Sequence, residues 1–285
     1  MTPLRGLPIS GTTKIAAVIG DPVRHSLSPA LHNAAFAEAG LDWVYVALEV
    51  ARGSASDALR SMRTLGMSGL SITMPHKRDA ALTCDELSDD AAALRSVNCV
   101  SPLPDGRLRG DSTDGEGFLR SLRDAGVSVD GRTVSLLGAG GAARAVAVAL
   151  ARSGARVIVA ARRLEARDEI SALAPSIEAV EWGERDSVVA DSSLVINSTP
   201  LGMLGSAELP CSALSLRREQ VIADLVYTPL DTPLLRAARS TGATTVDGLG
   251  MLVHQAALAF EIWTGMTPSI EVMRAAACEE LASRL

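Results

Sequence analysis

Lys77 and Asp114 are the residues of this sequence best placed for proton chemistry. Lys77 follows the apolar run Gly69–Thr73 and the turn Met74-Pro75-His76. It therefore falls in the first turn of a helix at the carboxyl end of a strand, where the sites of α/β proteins lie. The positive end of a helix works against a cation, so Lys77 gains nothing there as a structural device. Asp114 opens a helix in Gly110-Asp111-Ser112-Thr113-Asp114-Gly115, a placement that a plain N-cap explains equally well. Ser26 and Ser28, two residues apart in His25-Ser26-Leu27-Ser28-Pro29, can present hydroxyls to a carboxylate or a polyol. The competing reading is a helix cap that uses Ser28 alone. Other hydrogen-bonding side chains stand at comparable junctions. They are Thr73 at a strand end, Asn98 in Val97-Asn98-Cys99-Val100, and Gln255 one turn into the helix that follows Asp247-Gly248-Leu249-Gly250.

A second kind of chemistry is written in Val134-Ser135-Leu136-Leu137-Gly138-Ala139-Gly140-Gly141-Ala142-Ala143. An apolar strand runs into G-x-G-x-x-A and then into an alanine-rich helix, Ala142–Arg152. Gly138 permits a tight turn, Gly140 lets backbone approach a pyrophosphate, and Ala143 allows close packing of helix on strand. The free N–H groups of the helix start then face the phosphates. A following strand, Val157–Ala160, completes a βαβ unit. At its end, where an acidic residue would hold the ribose of NAD, the chain reads Ala161-Arg162-Arg163, and two guanidinium groups suit the 2′-phosphate of NADP.

The elements that must position these groups alternate between strand and helix patterns. Lys14–Gly20, Trp43–Val50 and Gly69–Thr73 read as strands. Helices are expected from Ser28, as N-cap before Pro29, to Ala39, at Ser54–Leu65 and at Glu86–Leu94. Asp105-Gly106 signals a hairpin between Val97–Val100 and Arg107–Arg109. Beyond the helix Gly115–Asp124 and the βαβ unit come strands at Leu194–Asn197, Val221–Leu225 and Thr244–Val246, and a helix at Pro233–Ser240. Two last helices cover Met251–Thr264 and Ile270–Leu285. The pattern predicts an α/β chain with parallel or mixed sheets.

With 285 residues, two domains are expected, handing over near Ser112–Asp114. Aromatic residues make up only 3% of the chain, so the cores must be built from Ala, Val, Leu and Ile. The net charge of −6, with no basic tract, argues against nucleic acid as a partner. No long apolar run occurs, and Met1–Ser10 lacks the apolar stretch of a secretory leader, so a cytoplasmic protein away from membranes is expected. Cys84, Cys99, Cys211 and Cys278 show no C-x-x-C spacing and read as reduced, packed thiols. The four histidines form no ligand pair, so no metal is expected.

The series GDPVRHSLSPALHNAAF, ITMPHK, SVNCV, GDSTDGEGF, LLGAGGAARAV, NSTPLGM, DLVYTPLDTPLL and DGLGMLVHQAALAF, in this order and over nearly the whole chain, resembles the shikimate dehydrogenase family. The resemblance implies reversible, NADPH-dependent reduction of 3-dehydroshikimate to shikimate. It also implies a substrate-binding domain at residues 1–113, completed by C-terminal helices 249–285, a Rossmann-like NADP-binding domain at 114–248, and a cleft between them. Carried over by position, Lys77 and Asp114 are the catalytic pair. Ser26 and Ser28 hold the substrate carboxylate with Tyr227, and Thr73, Asn98 and Gln255 hydrogen-bond the ring hydroxyls. Gly138, Ala139, Gly140, Gly141 and Ala142 take the pyrophosphate, while Met203, Val226, Gly248 and Met251 lie near the nicotinamide.

The chain departs from the pattern at the 2′-phosphate. Ala161 stands where many relatives have Asn, and Ala166 where a second clamping arginine is usual, so Arg163 or Arg167 must join Arg162. Cys99 and Ser112 replace a common Thr and Asn. Two readings stay open beside this one. The first is a quinate/shikimate dehydrogenase of broader specificity, although Ser26-x-Ser28 and the arginines side with the shikimate/NADP branch. The second is a non-catalytic dinucleotide-binding regulator, which would be expected to have lost Lys77 or Asp114. A homodimer is compatible with the sequence.

Overall fold

The computed structural model describes residues 9–284, so most of Met1–Ser10, and Leu285 at the expected end of the last helix, lie outside the described residues. The chain forms two compact units. One holds the residues up to Thr113 together with those from Gln255 onward, and the other runs from Asp114 to His254.

In the first unit β1 (Lys14–Gly20), α1 (Ser28–Glu38), β2 (Trp43–Glu49), α2 (Ala55–Thr64) and β3 (Gly69–Ile72) follow in alternation. Next come α3 (Lys77–Thr83), β4 (Glu86–Leu87), α4 (Asp89–Leu94), β5 (Cys99–Pro102) and β6 (Leu108–Asp111). The sheet order is β2-β1-β3-β5-β6-β4. β1 pairs in parallel with both β2 and β3, whereas β5 is antiparallel to its neighbours, which makes the sheet mixed. Asp105-Gly106 does turn a hairpin, between β5 and β6.

Two local expectations are corrected. The helix expected over Glu86–Leu94 begins only at Asp89. Glu86 and Leu87 instead pair with Arg109 and Gly110 as a short strand, and the Ser88 hydroxyl caps the helix by accepting the Ala91 N–H. Ser28 is not the N-cap of α1. Leu27 takes that position, and Ser28, with Pro29 after it, is already helical.

The second unit contains α5 (Asp114–Asp124), β7 (Thr133–Leu137), α6 (Gly141–Arg152), β8 (Arg156–Ala161), α7 (Leu164–Ser171) and β9 (Ile177–Glu181). After these come α8 (Arg185–Asp191), β10 (Leu194–Asn197), β11 (Val221–Asp224), α9 (Pro233–Thr241) and β12 (Thr244–Val246). Its sheet order is β12-β11-β10-β7-β8-β9, parallel throughout. This is the doubly wound order, which reverses between β7 and β10. Leu137, Val195, Ile222, Leu234 and Leu235 are fully buried in its core, each worth roughly 1.5–3 kcal/mol on removal from water.

Helix α10 (Gly248–Thr264) runs unbroken through the division between the two compact units, which falls after His254. Its first half is held to α5 by His254 Nε2, 2.6 Å from Asp124 Oδ2. α11 (Ile270–Ser283) ends the described chain. Among the described residues, no helix is long and apolar enough to cross a membrane. All four cysteines are unpaired. Burial pushes the Cys84 and Cys211 thiols up to about 12, which leaves them protonated and inert, whereas Cys278 is exposed.

Five of the chain's eight aromatic residues, Phe36, Trp43, Tyr45, Phe260 and Trp263, gather in the first unit. His32 sits among them, 1% exposed, stacked on Tyr45 with ring centroids 4.3 Å apart. Neither of its ring nitrogens has a protein partner, and burial pushes its pKa down to about 3. In the unfolded chain a histidine titrates near 6.5, so the unfolded state takes up this proton first as pH falls. The contribution to stability is therefore full above about pH 6.5 and is lost progressively as pH falls toward the folded value. Between about pH 7 and pH 5 the protein should lose roughly 2 kcal/mol that a His32→Phe variant keeps. Urea denaturation at the two pH values measures this, and equal losses in both proteins would contradict it.

Candidate active site

In the first unit, parallel pairing of β1 with β3 brings the segments that follow them to one edge of the sheet. The backbone knits these segments together, since Thr73 N–H donates to Ile19 O (2.9 Å) and Asp21 N–H to Met74 O (3.0 Å). Lys77 is the first residue of α3, after His76 at its N-cap. The His76 ring is fully buried with Nε2 2.8 Å from Val50 O, which anchors that turn from inside and settles it as a packing residue. Lys77 O accepts the Val97 N–H (2.9 Å), and Asn98 O accepts the Ile72 N–H (2.8 Å). Thr73, Lys77 and Asn98 are thereby drawn to one place. The Asn98 side chain is buried and doubly engaged with Thr113. Its Nδ2 donates to the threonine hydroxyl (2.9 Å) and its Oδ1 accepts the threonine N–H (2.7 Å). This pairing fixes the chain immediately before Asp114.

The serine pair divides its labour differently from a cap. Ser26 Oγ accepts the Ser28 N–H (3.2 Å), while its carbonyl and that of His25 accept from Arg284 (3.4 and 2.6 Å). The Ser28 hydroxyl is thus not spent on the helix start, and Ser28 is only 7% exposed. Near it lies a group that the sequence did not single out. The Tyr45 hydroxyl is buried close to the Ser28 and Ser71 hydroxyls, without hydrogen-bonding geometry to either. Burial pushes its pKa up, so it stays protonated as a donor. Tyr45 lies in a strand whose apolar pattern marks it as core, and only the fold brings it beside Ser28.

In the second unit the glycine turn follows β7 at the point where the strand order reverses. Gly138 has φ = 106°, and a Cβ there would lie 2.8 Å from Ser198 Oγ, so the turn admits no side chain. Gly140 is the N-cap of α6 with no side-chain cap, and a Cβ on it would meet nothing within 4 Å. An uncapped twelve-residue helix facing open space, with exposed Gly140 and Gly141 and half-buried Ala139 and Ala142 around it, fits a phosphate group. Ala161 closes β8, buried, and Arg162 and Arg163 follow, both exposed and with no ion pair among the described residues. Arg167 differs from them. It is 14% exposed and tied to Glu181 on β9 at 3.3 Å.

Val226 and Gly248 do meet, because a Cβ on Gly248 would lie 2.6 Å from Leu225 O and 2.7 Å from Val226 O. Met251 is buried one turn further along α10, Met203 is exposed after β10, and Tyr227 is half-buried. Asp114 is 7% exposed at the start of α5, and Gln255 is half-buried on α10.

Residues 18–100 match the shikimate dehydrogenase substrate binding domain, and residues 248–278 match the shikimate 5′-dehydrogenase C-terminal domain. The NADP(+) shikimate dehydrogenase of Methanopyrus kandleri is 42% identical over 285 residues, covering 96% of this chain and 98% of that protein. The chain belongs to the shikimate dehydrogenase family. Among solved structures, a shikimate dehydrogenase in complex with NADP+ superposes with a TM-score of 0.91 at 36% identity, covering 97% of this chain and 99% of that one. The shikimate 5-dehydrogenase of Thermus thermophilus, in complex with NADP(H) and shikimate, gives 0.85 at 36% identity, covering 93% and 99%.

The two loop glycines should respond oppositely to alanine. Gly138→Ala forces a side chain into a positive φ against Ser198 and should destabilise the protein by about 1–3 kcal/mol, whereas Gly140→Ala should change stability by less than about 0.5 kcal/mol. Denaturant melts decide this, and a large loss from Gly140→Ala would show that its methyl is not in open space.

Proposed function

We propose that this protein catalyses the reversible reduction of 3-dehydroshikimate to shikimate with NADPH. The observation that carries the reading is the joint presence, in a member of this family, of hydroxyl and amide groups drawn around Lys77 and of a phosphate-accepting turn followed by unpaired arginines. In this assignment residues 1–113 with 249–285 bind substrate and 114–248 bind the cofactor.

Ser26 and Ser28 hold the substrate carboxylate with Tyr227. Thr73, Asn98 and Gln255 hydrogen-bond the ring hydroxyls. A site built from so many directional partners rejects an analogue that lacks one of them, because a buried group is then left unpaired. The N–H groups around Gly138–Ala142 hold the pyrophosphate. Arg162 takes the 2′-phosphate together with Arg163 or Arg167, the latter also paired with Glu181. Met203, Val226, Gly248 and Met251 border the nicotinamide. When bound, the reduced cofactor supplies the hydride.

The protein manages the proton. As the substrate carbonyl becomes an alkoxide, Lys77 Nζ donates a proton to its oxygen, and in the oxidative direction Lys77 takes that proton back. Asp114 orients the same oxygen and the ammonium group for this transfer. Four unpaired thiols suit a reducing compartment, in keeping with a cytoplasmic enzyme.

Lys77→Ala should lower kcat by roughly 10²–10⁴, the usual worth of a general acid–base group. Shikimate and NADP+ should still bind within a few-fold, because the other partners remain. Steady-state kinetics with calorimetry separates the two effects. Retention of more than about half of kcat would make Lys77 a binding residue instead.

A further inference from the structure

We infer that Asp224 and Asn197 form a buried lock that aims the two loops bordering the nicotinamide, which makes Asp224 a positioning residue for hydride transfer although it touches neither cofactor nor substrate. The inference deepens the dinucleotide assignment above and rests on it. Asn197 ends β10 and Asp224 ends β11. They stand opposite one another in the parallel register, 0% and 1% exposed. Asn197 Nδ2 donates to Asp224 Oδ1 at 2.9 Å.

From this pair each side chain reaches into its own loop. Asn197 Oδ1 accepts both the N–H and the hydroxyl of Thr199 (3.0 and 2.7 Å), and its Nδ2 also donates to Leu201 O (3.2 Å). Thr199 Oγ1 in turn accepts the Leu201 N–H (3.2 Å). Asp224 Oδ1 accepts the Val226 N–H (3.0 Å). Its Oδ2 accepts the Thr232 hydroxyl (2.7 Å), and Thr232 Oγ1 in turn caps α9 by accepting the Leu235 N–H (3.2 Å). Farther out, Leu204 N–H donates to Thr228 O (2.8 Å), which closes one loop on the other.

The stretch carrying Met203 and the stretch carrying Val226 and Tyr227 therefore hang from one carboxylate and one amide. The first stretch also abuts the glycine turn, since the Ser198 hydroxyl donates to Leu137 O (2.7 Å) and Ser198 Oγ occupies the space a Gly138 side chain would need. A general stability role would be filled as well or better by apolar side chains, because burying a carboxylate is costly. What apolar groups cannot do is fix the direction of two loops, and here each polar atom of the pair is spent on loop backbone or loop hydroxyls. Hydride transfer is sensitive to such aim, because displacements of about 1 Å cost up to 10²-fold in rate.

The experiment measures binding of NADP+ and of adenosine 2′,5′-bisphosphate, which lacks the nicotinamide half, by calorimetry, together with kcat. Asp224→Ala should weaken NADP+ about tenfold and lower kcat roughly 10–100-fold, while the bisphosphate binds within about twofold of wild type. Asp224→Asn keeps the Oδ1 acceptor and should stay within about threefold of wild type in all three quantities. Should Asp224→Ala fail to fold, Thr199→Val removes a hydroxyl from the same lock and should move NADP+ affinity and kcat in the same direction while sparing the bisphosphate. Equal weakening of both ligands would reduce the network to a structural role and overturn the inference. Unchanged NADP+ affinity and kcat would overturn it too, as would Asp224→Asn behaving like Asp224→Ala. If the wild-type protein binds no bisphosphate, the dinucleotide assignment itself falls, and this inference with it.

Discussion

Parallel strand pairing sends successive strand ends to one edge of a sheet, and this constraint shapes both halves of the molecule. In the first unit the pairing of β1 with β3 puts the Ile19–Asp21 stretch and the Thr73–Met74 turn side by side. In the second, the pairing of β7 with β10 sets the glycine turn against Ser198, where the sheet order reverses. Neither arrangement depends on a long-range charge. Each follows from where a strand must stop and what backbone is left to satisfy there.

The polar groups buried near these edges divide by what they cost. Asn98 and Asn197 have both ends of their amides engaged, so their burial carries little penalty and fixes neighbouring backbone. Asp224 is a harder case. Burial pushes its pKa up, and hydrogen bonds from Thr232, Val226 and Asn197 only partly offset this. His32 is harder still, a neutral ring among aromatics with no protein partner for either nitrogen. The first unit therefore tolerates a buried neutral histidine next to a tyrosine hydroxyl held close to Ser28.

Much of this was legible in the residues. Strands at Leu194–Asn197 and Thr244–Val246 coincide with the expected spans, and the strand–turn–helix around Gly138 stands where its glycines put it, because local pattern and tertiary demand agree there. Misreadings arise where a distant partner decides. Glu86-Leu87 is a strand only because Arg109-Gly110 lies alongside, and Ile177–Glu181, a half-polar edge strand, carries too weak a pattern to mark it. Of the site, the strand-end and glycine-loop residues could be found locally. Tyr45 could not, since its alternation matches any core strand, and neither could the pairing of Asn197 with Asp224, which depends on strand register. The ion pair of Arg167 with Glu181 is likewise a contact that no local signal announces.

The proposed reaction requires substrate-binding groups selective for shikimate and a cofactor carrying a 2′-phosphate. The most direct measurement follows formation of reduced cofactor by the purified protein, with shikimate and quinate each offered NADP+ and NAD+. The highest kcat/KM is expected for shikimate with NADP+. Changing to NAD+ should cost roughly tenfold or more, the worth of losing a hydrogen bond to a charged group. Rates as high with NAD+ as with NADP+, or a preference for quinate over shikimate, would contradict it.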